Sequence, residues 1–146
     1  VPTVHPVRGA KEAATIDHIS NGRFCLNLVA GWNDKEIAMF GVDQRPHDER
    51  YDVADEWLSL AKTLWSTDGE VDWNGRYFPS PAAYSEPKPV QAPAPVIMSA
   101  GNSERGQDFA AKHADLTGCK THHPRSGIHG IIGNADERIN CARRQS

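Results

Sequence analysis

Segments typical of strands alternate with segments typical of helices along the chain, and this alternation restricts the fold more than any other feature of the sequence. The run RFCLNLVAG, residues 23–31, is almost continuously apolar, and so is PVIMSAG, residues 95–101. Such runs are typical of strands in a parallel sheet that is covered on both faces. Because helical segments flank both runs, the order predicts βαβ units and an α/β fold.

The sequence predicts three helices around these strands. The first covers VRGAKEAATIDHIS and is expected to end near Ser20. The second covers residues 48–66, where apolar side chains recur at helical spacing, with Asp48 as its predicted N-cap. The third is predicted to begin at or near Ser103, whose hydroxyl can cap it.

The remaining segments predict shorter elements. EVDWNGRYF predicts a β-hairpin that turns at Asn74–Gly75. The Pro-rich residues 85–95 predict an extended connector inside one domain. Residues 115–119 predict a third short strand. Residues 120–146 show no sustained apolar period and no strand of convincing length, so they are predicted to form an irregular tail.

The composition excludes several classes of protein. The 146 residues suffice for one domain with a core, and a net charge of −3 argues against a dedicated nucleic-acid binder. The chain lacks an apolar run near the ~20 residues that cross a membrane, and it shows no secretory signal. Three cysteines without a disulfide-framework spacing favour a reducing, cytoplasmic setting.

Asn27 is the one amide inside the first predicted strand. Side chains alternate along a strand, so Leu26 and Leu28 share the face toward the helices and Asn27 lies on the other face. A buried amide without a hydrogen-bond partner lowers the stability of the fold by on the order of 1–3 kcal/mol. Asn27 is therefore expected to bind either a ligand or a neighbouring loop.

The loops that follow the strands carry most of the other polar candidates. In α/β sheets and barrels the carboxyl ends of the strands form the ligand-binding rim. Glu36 follows the first strand, Arg50 and Tyr51 begin a helix, and Ser103 begins the next helix. The SAGNS segment, at the start of a helix, offers an anion site, although a serine at this position is more often a plain N-cap. Likewise, Arg50 can form a surface ion pair with Glu36 or Asp48, and Tyr51 can serve in helix packing.

Several of these segments, in this order, resemble the luciferase-like flavin-dependent monooxygenases, and most of all the subgroup of pyrimidine and alkanesulfonate-type monooxygenases. The resemblance covers roughly residues 3–119 and rests on AATIDHISNGRFCLNLVAGWNDKEIAMFG, HDERYDVADEWLSLAKTLW, NGRYF, SEPKPVQ and PVIMSAGNSERGQDFAAKHAD.

The resemblance implies a TIM barrel that binds reduced FMN. A complete barrel takes roughly 250 residues. The chain is therefore expected to be a central fragment: a partial (β/α)8 barrel of about three parallel strands in residues 1–119, with a tail at 120–146 that is unlike the family.

The resemblance also assigns five flavin contacts. Asn27 would hydrogen-bond the flavin from inside the barrel, and Tyr51 and Ser103 would hold the phosphate. Arg50 would add positive charge, and Glu36 would position the flavin or order its loop. It names no catalytic residue, because the family's catalytic residues come largely from segments absent here.

The implied activity of the parent protein is an FMN-dependent monooxygenase. Reduced FMN from a separate flavin reductase would react with O2, and the resulting flavin peroxide would transfer one oxygen atom to a small organic substrate. The parent would be a homo-oligomer. The alternatives are a deazaflavin-dependent dehydrogenase of the same superfamily, or a truncated chain without activity. The histidines and cysteines of the tail fit no zinc pattern, so no metal is predicted.

Overall fold

The computed structural model describes residues 1–31, 33–119 and 130–133. In chain order the elements are α1 (Pro6–Ile19), β1 (Cys25–Asn27), α2 (Asp34–Ala38), α3 (His47–Ser66), β2 (Val71–Trp73), β3 (Ser80–Ala83), β4 (Val96–Ser99), α4 (Glu104–His113), β5 (Leu116–Cys119) and β6 (Gly130–Gly133). This order confirms the predicted alternation of strands and helices.

The main sheet has the strand order β1-β4-β5-β6, and β1, β4 and β5 run parallel. Asn27 is in register with Met98, and Met98 is in register with Leu116. The α/β class and the three parallel strands are therefore as predicted. Because the register is aligned, the carboxyl ends of β1 and β4 lie side by side.

Helix α3 supplies the centre of the hydrophobic core. Its buried side chains include Leu58, Leu60 and Leu64, which are at most 1% exposed. Two tryptophans fasten it to the N-terminal part of the chain, because Trp57 donates to the Val4 carbonyl at 2.7 Å and Trp65 to the Ala10 carbonyl at 3.0 Å. The apolar side chains that recur along α3 at helical spacing thus pack in one core cluster with Ala10 and Ala13 of α1 and with Leu28 and Ile97 of the sheet region.

Two helix starts differ from the sequence prediction. Helix α3 begins at His47, after Pro46, and has no side-chain cap, so Asp48 is not the N-cap. Proline fixes φ near the value needed at this boundary. The short helix α2 was not predicted, since five residues show no periodicity; the Asn33 side chain caps it by accepting from the Glu36 N–H at 3.4 Å.

The hairpin forms, but its turn is not at Asn74–Gly75. Strand β2 pairs with β3, so residues 74–79 form a longer connection. The carboxylate of Glu56 on α3 accepts hydrogen bonds from the backbone N–H groups of Tyr77 and Phe78 at 3.0 and 2.8 Å. This long-range contact holds the segment as a loop over α3, which the local sequence does not reveal.

Strand β6 is a further correction. It pairs antiparallel with β5 through Gly130–Gly133, within the segment predicted to lack a strand. The rest of residues 120–146, with their histidines and Cys141, lies outside the described residues. The part of the chain that the structure describes holds no helix long and apolar enough to cross a membrane.

Candidate functional site

Asn27 lies on the face of the sheet that the helices do not cover. Along β1 and the residue after it, burial alternates as predicted: Leu28 is 6% exposed, whereas Cys25, Asn27 and Val29 are exposed. The described residues make no hydrogen bond to the Asn27 side chain. Its amide is therefore available at the end of β1, next to the partly buried Met98 of β4.

The loop after β1 is held by Arg50 of α3. The last ladder contact is the Leu28 N–H, which donates to the Met98 carbonyl at 2.9 Å. Further along, Arg50 Nη1 donates to the Gly31 carbonyl at 2.5 Å. Arg50 Nε is buried and has no hydrogen-bond partner among the described residues. The ion pair of Arg50 with Glu36 or Asp48, left open by the sequence, is absent from the described contacts.

The loop after β4 packs tightly against the start of α4 and against Tyr51. Ser103 Oγ accepts from the Gly106 N–H at 3.1 Å and so caps α4, as predicted. A Cβ added at Gly101 would lie 2.9 Å from Gly106 Cα, and one added at Gly106 would lie 3.0 Å from Gly101 Cα and 2.6 Å from the Tyr51 hydroxyl oxygen. Both positions therefore require glycine, and the Tyr51 hydroxyl lies at the entrance of α4.

The backbone N–H groups at the start of α4 can bind an anion. The N–H groups at the start of a helix have no intrahelical acceptor, and the helix dipole makes this end positive. Ser103 takes up the N–H of Gly106 only. The Arg105 guanidinium is paired with Asp52 of α3, so this cation of the first turn is already neutralised, and Glu104 adds a negative charge in the same turn.

Glu36 makes no described hydrogen bond or ion pair with the other four candidates. It is exposed on α2 and lines a cleft of about 200 Å³ together with Val29, Gly31 and Phe40. This cleft adjoins the loop after β1, because Gly31 also accepts from Arg50. The structure thus places Arg50, Tyr51 and Ser103 in or against the loops that follow β1 and β4, with Asn27 at the end of β1. Glu36 lies on α2, which follows the first of these loops.

A second cleft, of about 490 Å³, lies between α3, α4 and the hairpin, and sequence reasoning did not identify it. Asp55 of α3 lines this cleft, and its carboxylate accepts hydrogen bonds from Lys112 Nζ and His113 Nε2 of α4, each at 2.6 Å. Burial lowers the pKa of His113, although the Asp55 carboxylate opposes that shift. These contacts join the carboxyl end of α4 to α3, as the Arg105–Asp52 pair joins its beginning.

A candidate metal centre is absent from the residues the structure describes, since they bring together no group of three histidines, cysteines or acidic residues able to hold an ion. The side chains of Cys119 and of the tail histidines are not among those described.

Comparison with known proteins gives a consistent result. The family model of the luciferase-like monooxygenases matches residues 1–146. The chain is 41% identical over 121 residues to the pyrimidine monooxygenase RutA of Cronobacter turicensis, covering 80% of this chain and 31% of that protein. It is 37% identical over 134 residues to the long-chain alkane monooxygenase of Geobacillus thermodenitrificans, covering 76% of this chain and 30% of that protein.

A solved structure of riboflavin lyase (RcaE), with modified FMN and the substrate riboflavin, aligns with a TM-score of 0.77 at 28% identity. That alignment covers 84% of this chain and 32% of the lyase chain. The chain spans about a third of the length of the relatives it matches.

Proposed function

Because the chain belongs to the luciferase-like monooxygenase family and folds as part of its TIM barrel, we propose that the protein is an FMN-dependent monooxygenase. It uses reduced FMN and O2 to insert one oxygen atom into a small organic substrate. The observation that carries the proposal is the grouping of Arg50, Tyr51 and Ser103 at the carboxyl ends of β1 and β4, next to the exposed amide of Asn27.

The entrance of α4 fits the flavin phosphate. Because Gly101 and Gly106 lack side chains, the loop after β4 packs closely against the first turn of α4 and the Tyr51 hydroxyl reaches this entrance. The N–H groups of Glu104 and Arg105, the first residues of the helix, would bind phosphate oxygens. The hydroxyl groups of Tyr51 and Ser103 lie at the same entrance and would complete the contacts.

The uncovered face of the sheet fits the isoalloxazine ring. Asn27 there offers one donor group and one acceptor oxygen among Val29 and Met98, which are apolar. A ring that covers this face would receive the hydrogen bond that the Asn27 amide lacks within the described residues. No loop binds Asn27 among the described contacts, which leaves the ligand hypothesis. Because Asn27 is exposed and not buried as the sequence led us to expect, solvent satisfies its amide until a ring covers this face.

When bound in its reduced form, FMN supplies the activation of O2. The residues of this chain bind and orient it: Asn27 holds the ring, and the α4 entrance holds the phosphate. The apolar neighbours of Asn27 keep water away from the ring face that they contact. Glu36, beyond the first loop, orders that loop through α2 and does not contact the phosphate.

The choice of FMN over a deazaflavin rests on the riboflavin lyase structure, which holds a modified FMN and aligns well with this chain. The names of the relatives include a pyrimidine and a long-chain alkane monooxygenase, so the substrate class stays open. We further propose a cytoplasmic homo-oligomer that receives reduced FMN from a separate reductase. The division into a barrel part, 1–119, and a distinct tail, 120–146, stays a prediction.

The proposal is tested on the parent protein that contains this chain, called the intact protein below. It is titrated with FMN and, separately, with a deazaflavin cofactor, and flavin fluorescence is the readout. We expect one-to-one binding of FMN at micromolar concentration and much weaker binding of the deazaflavin. With enzymatically reduced FMN and O2, addition of an accepted substrate should lower the release of H2O2 and yield a product that carries one more oxygen atom. Preference for the deazaflavin, with hydride transfer and no use of O2, would show that the dehydrogenase alternative is correct.

The isolated 146-residue chain provides a second test. Its parallel sheet ends at β1, whose outer edge has no partner strand among the described residues, and its inner face is exposed. We expect this chain alone to bind FMN poorly and to aggregate. Tight one-to-one FMN binding by the isolated chain would contradict that expectation.

A further inference from the structure

The Asn74–Gly75 pair, which the sequence predicts as the turn of the hairpin, lies instead in the longer connection of residues 74–79. The sequence contains a second Asn–Gly pair, Asn21–Gly22, just after α1. In both pairs the asparagine is exposed and the glycine is half-buried. The two pairs are therefore matched in sequence and in exposure, and they differ in how the structure holds their backbone.

An Asn–Gly pair is chemically labile because glycine has no Cβ to shield its own backbone nitrogen. That nitrogen attacks the Cγ of the asparagine side chain, the Cγ–Nδ2 bond breaks, and the amide nitrogen leaves as ammonia with the proton of the attacking group. Water then opens the resulting succinimide ring at either carbonyl, which gives aspartate or isoaspartate. All the atoms come from the chain and from water, so the reaction requires no cofactor and no second protein.

The end of α1 holds the first pair in place. Asn21 has a φ of +53° and Gly22 a φ of +75°, so the chain passes through the left-handed region just after the helix. The Asn21 N–H donates to the His18 carbonyl at 3.0 Å. The Gly22 N–H donates to the Asp17 carbonyl at 2.9 Å, as is common where a helix ends. The Gly22 nitrogen must therefore leave its bond to Asp17 before it can attack the Asn21 side chain.

The second pair is not held in this way. Among the described contacts, neither the Gly75 N–H nor the Asn74 side chain makes a hydrogen bond. The Glu56 carboxylate fastens the connection only further along, where the Tyr77 and Phe78 N–H groups donate to it at 3.0 and 2.8 Å. No described contact therefore keeps the Gly75 nitrogen away from the Asn74 side chain.

Packing explains why a glycine stands at position 75. A Cβ added there would collide with Glu56 Oε1 and with Trp73 Nε1. The glycine that makes the pair labile is thus required by the close approach of the loop to α3. The negative charge of Glu56 disfavours loss of the Gly75 proton, but the N–H groups of Tyr77 and Phe78 already share that charge.

We propose that Asn74 is a site of spontaneous deamidation, whereas Asn21, in the same dipeptide, is protected by the end of α1. The reaction weakens the attachment of the hairpin to α3. An aspartate at position 74 adds a negative charge next to Gly75, which lies against the Glu56 carboxylate. An isoaspartate lengthens the main chain by a CH2 group just before the N–H groups that Glu56 binds.

The first test follows both asparagines in the intact protein by peptide mapping and mass spectrometry during incubation in a mildly alkaline buffer. We expect Asn74 to deamidate about tenfold faster than Asn21 or more, because attack on Asn21 first breaks the hydrogen bond of Gly22. In urea that unfolds the protein the two rates should become similar, since the dipeptides are the same. No reaction at Asn74, equal rates in the folded protein, or a ratio that persists in urea would overturn the proposal.

The second test measures the consequence of the reaction by limited proteolysis before and after the incubation. It compares the unaltered protein with Asn74→Gln, since glutamine deamidates far more slowly, and with Asn21→Gly, which tolerates the positive φ at that position. We expect incubation to make residues 74–79 more sensitive to protease in the unaltered protein and in Asn21→Gly, but not in Asn74→Gln. Equal sensitivity of all three proteins after incubation would contradict a weakened attachment. Neither test involves flavin binding, so their outcomes are independent of the proposed function.

Discussion

The Pro-rich connector, residues 85–95, and the loops that follow β1 and β4 are both irregular, but they differ in how their polar groups are used. In the connector, the side chains of Lys88 and Gln91 donate hydrogen bonds to other parts of the fold. Within the described connector, the buried Ser85 hydroxyl is the exception, because it has no hydrogen-bond partner. At the end of β1 and after β4, in contrast, the Asn27 amide and the first N–H groups of α4 have no protein partner among the described residues. The connector's polar groups therefore serve stability, whereas these groups are the ones that the proposed flavin site would use.

Asp17 illustrates the connector's role. This carboxylate of α1 is fully buried and accepts from the Gln91 N–H at 2.9 Å and from Gln91 Nε2 at 2.7 Å. Gln91 Nε2 also donates to the Phe24 carbonyl just before β1. One buried pair thus joins α1, the connector and the start of the sheet.

Lys88 closes the other end of the connector. Its Nζ donates to the Leu64 and Thr67 carbonyls at the carboxyl end of α3, and to the Ser85 carbonyl, at distances of 2.6–3.0 Å. A cation at this end of a helix is also favoured by the helix dipole. The connector therefore caps the longest described helix of the fold.

The largest expected effect on stability is that of Asp17→Ala. It leaves the two Gln91 donors without their buried acceptor, which should lower the free energy of unfolding by about 3 kcal/mol. Urea denaturation of the intact protein measures this loss. The matched control is Glu12→Gln, which alters an exposed ion pair on the same helix and should cost at most ~0.5 kcal/mol. Equal effects of the two substitutions would refute the stabilising role of the connector.

Lys88→Met should have the second largest effect. It removes the donor that binds three carbonyl groups while keeping most of the stem, so we expect a loss of about 1–2 kcal/mol. Lys35→Met, at an exposed position on α2, is the control and should be nearly neutral. If denaturation curves of the two variants coincide, the capping by Lys88 contributes nothing to stability.

Acid should act on the connector through Asp17. Burial tends to raise the pKa of Asp17, but the hydrogen bonds from Gln91 outweigh it and hold the pKa below its ordinary 3.8. Since the folded pKa is the lower one, the stabilisation is complete above pH 3.8 and is lost as the pH falls through the folded pKa. The free energy of unfolding should therefore decline less steeply in acid for Asp17→Asn than for the unaltered protein. Parallel acid profiles of the two proteins would contradict this.

The smallest effect on stability is expected on the binding side, for Asn27→Ala. Because the side chain is exposed and makes no described hydrogen bond, the free energy of unfolding should change by less than ~0.5 kcal/mol. FMN affinity should nevertheless fall, by about tenfold. Asn74→Ala, at an exposed position of the hairpin loop, should change neither quantity. A large loss of stability in Asn27→Ala would remove the contrast between the two regions.

The sequence predicted the features that depend on local pattern. Alternation along β1 assigned Asn27 to the uncovered face, and the cap at Ser103 followed from a hydroxyl before a helical run. The features that it missed depend on residues far apart. Examples are the displacement of the hairpin turn by Glu56 and the contact of Arg50 with Gly31, which lies 19 residues away. Short elements were also missed, because α2 and β6 have five and four residues and too little periodicity to detect.

The central claim is that one flavin spans the Asn27 face and the α4 entrance, and a crystal structure of the intact protein with FMN tests it most directly. We expect the phosphate within hydrogen-bond distance of Ser103 and of the first N–H groups of α4, with the ring hydrogen-bonded to the Asn27 amide. Flavin bound elsewhere, or with its phosphate far from α4 and its ring away from Asn27, would contradict the account.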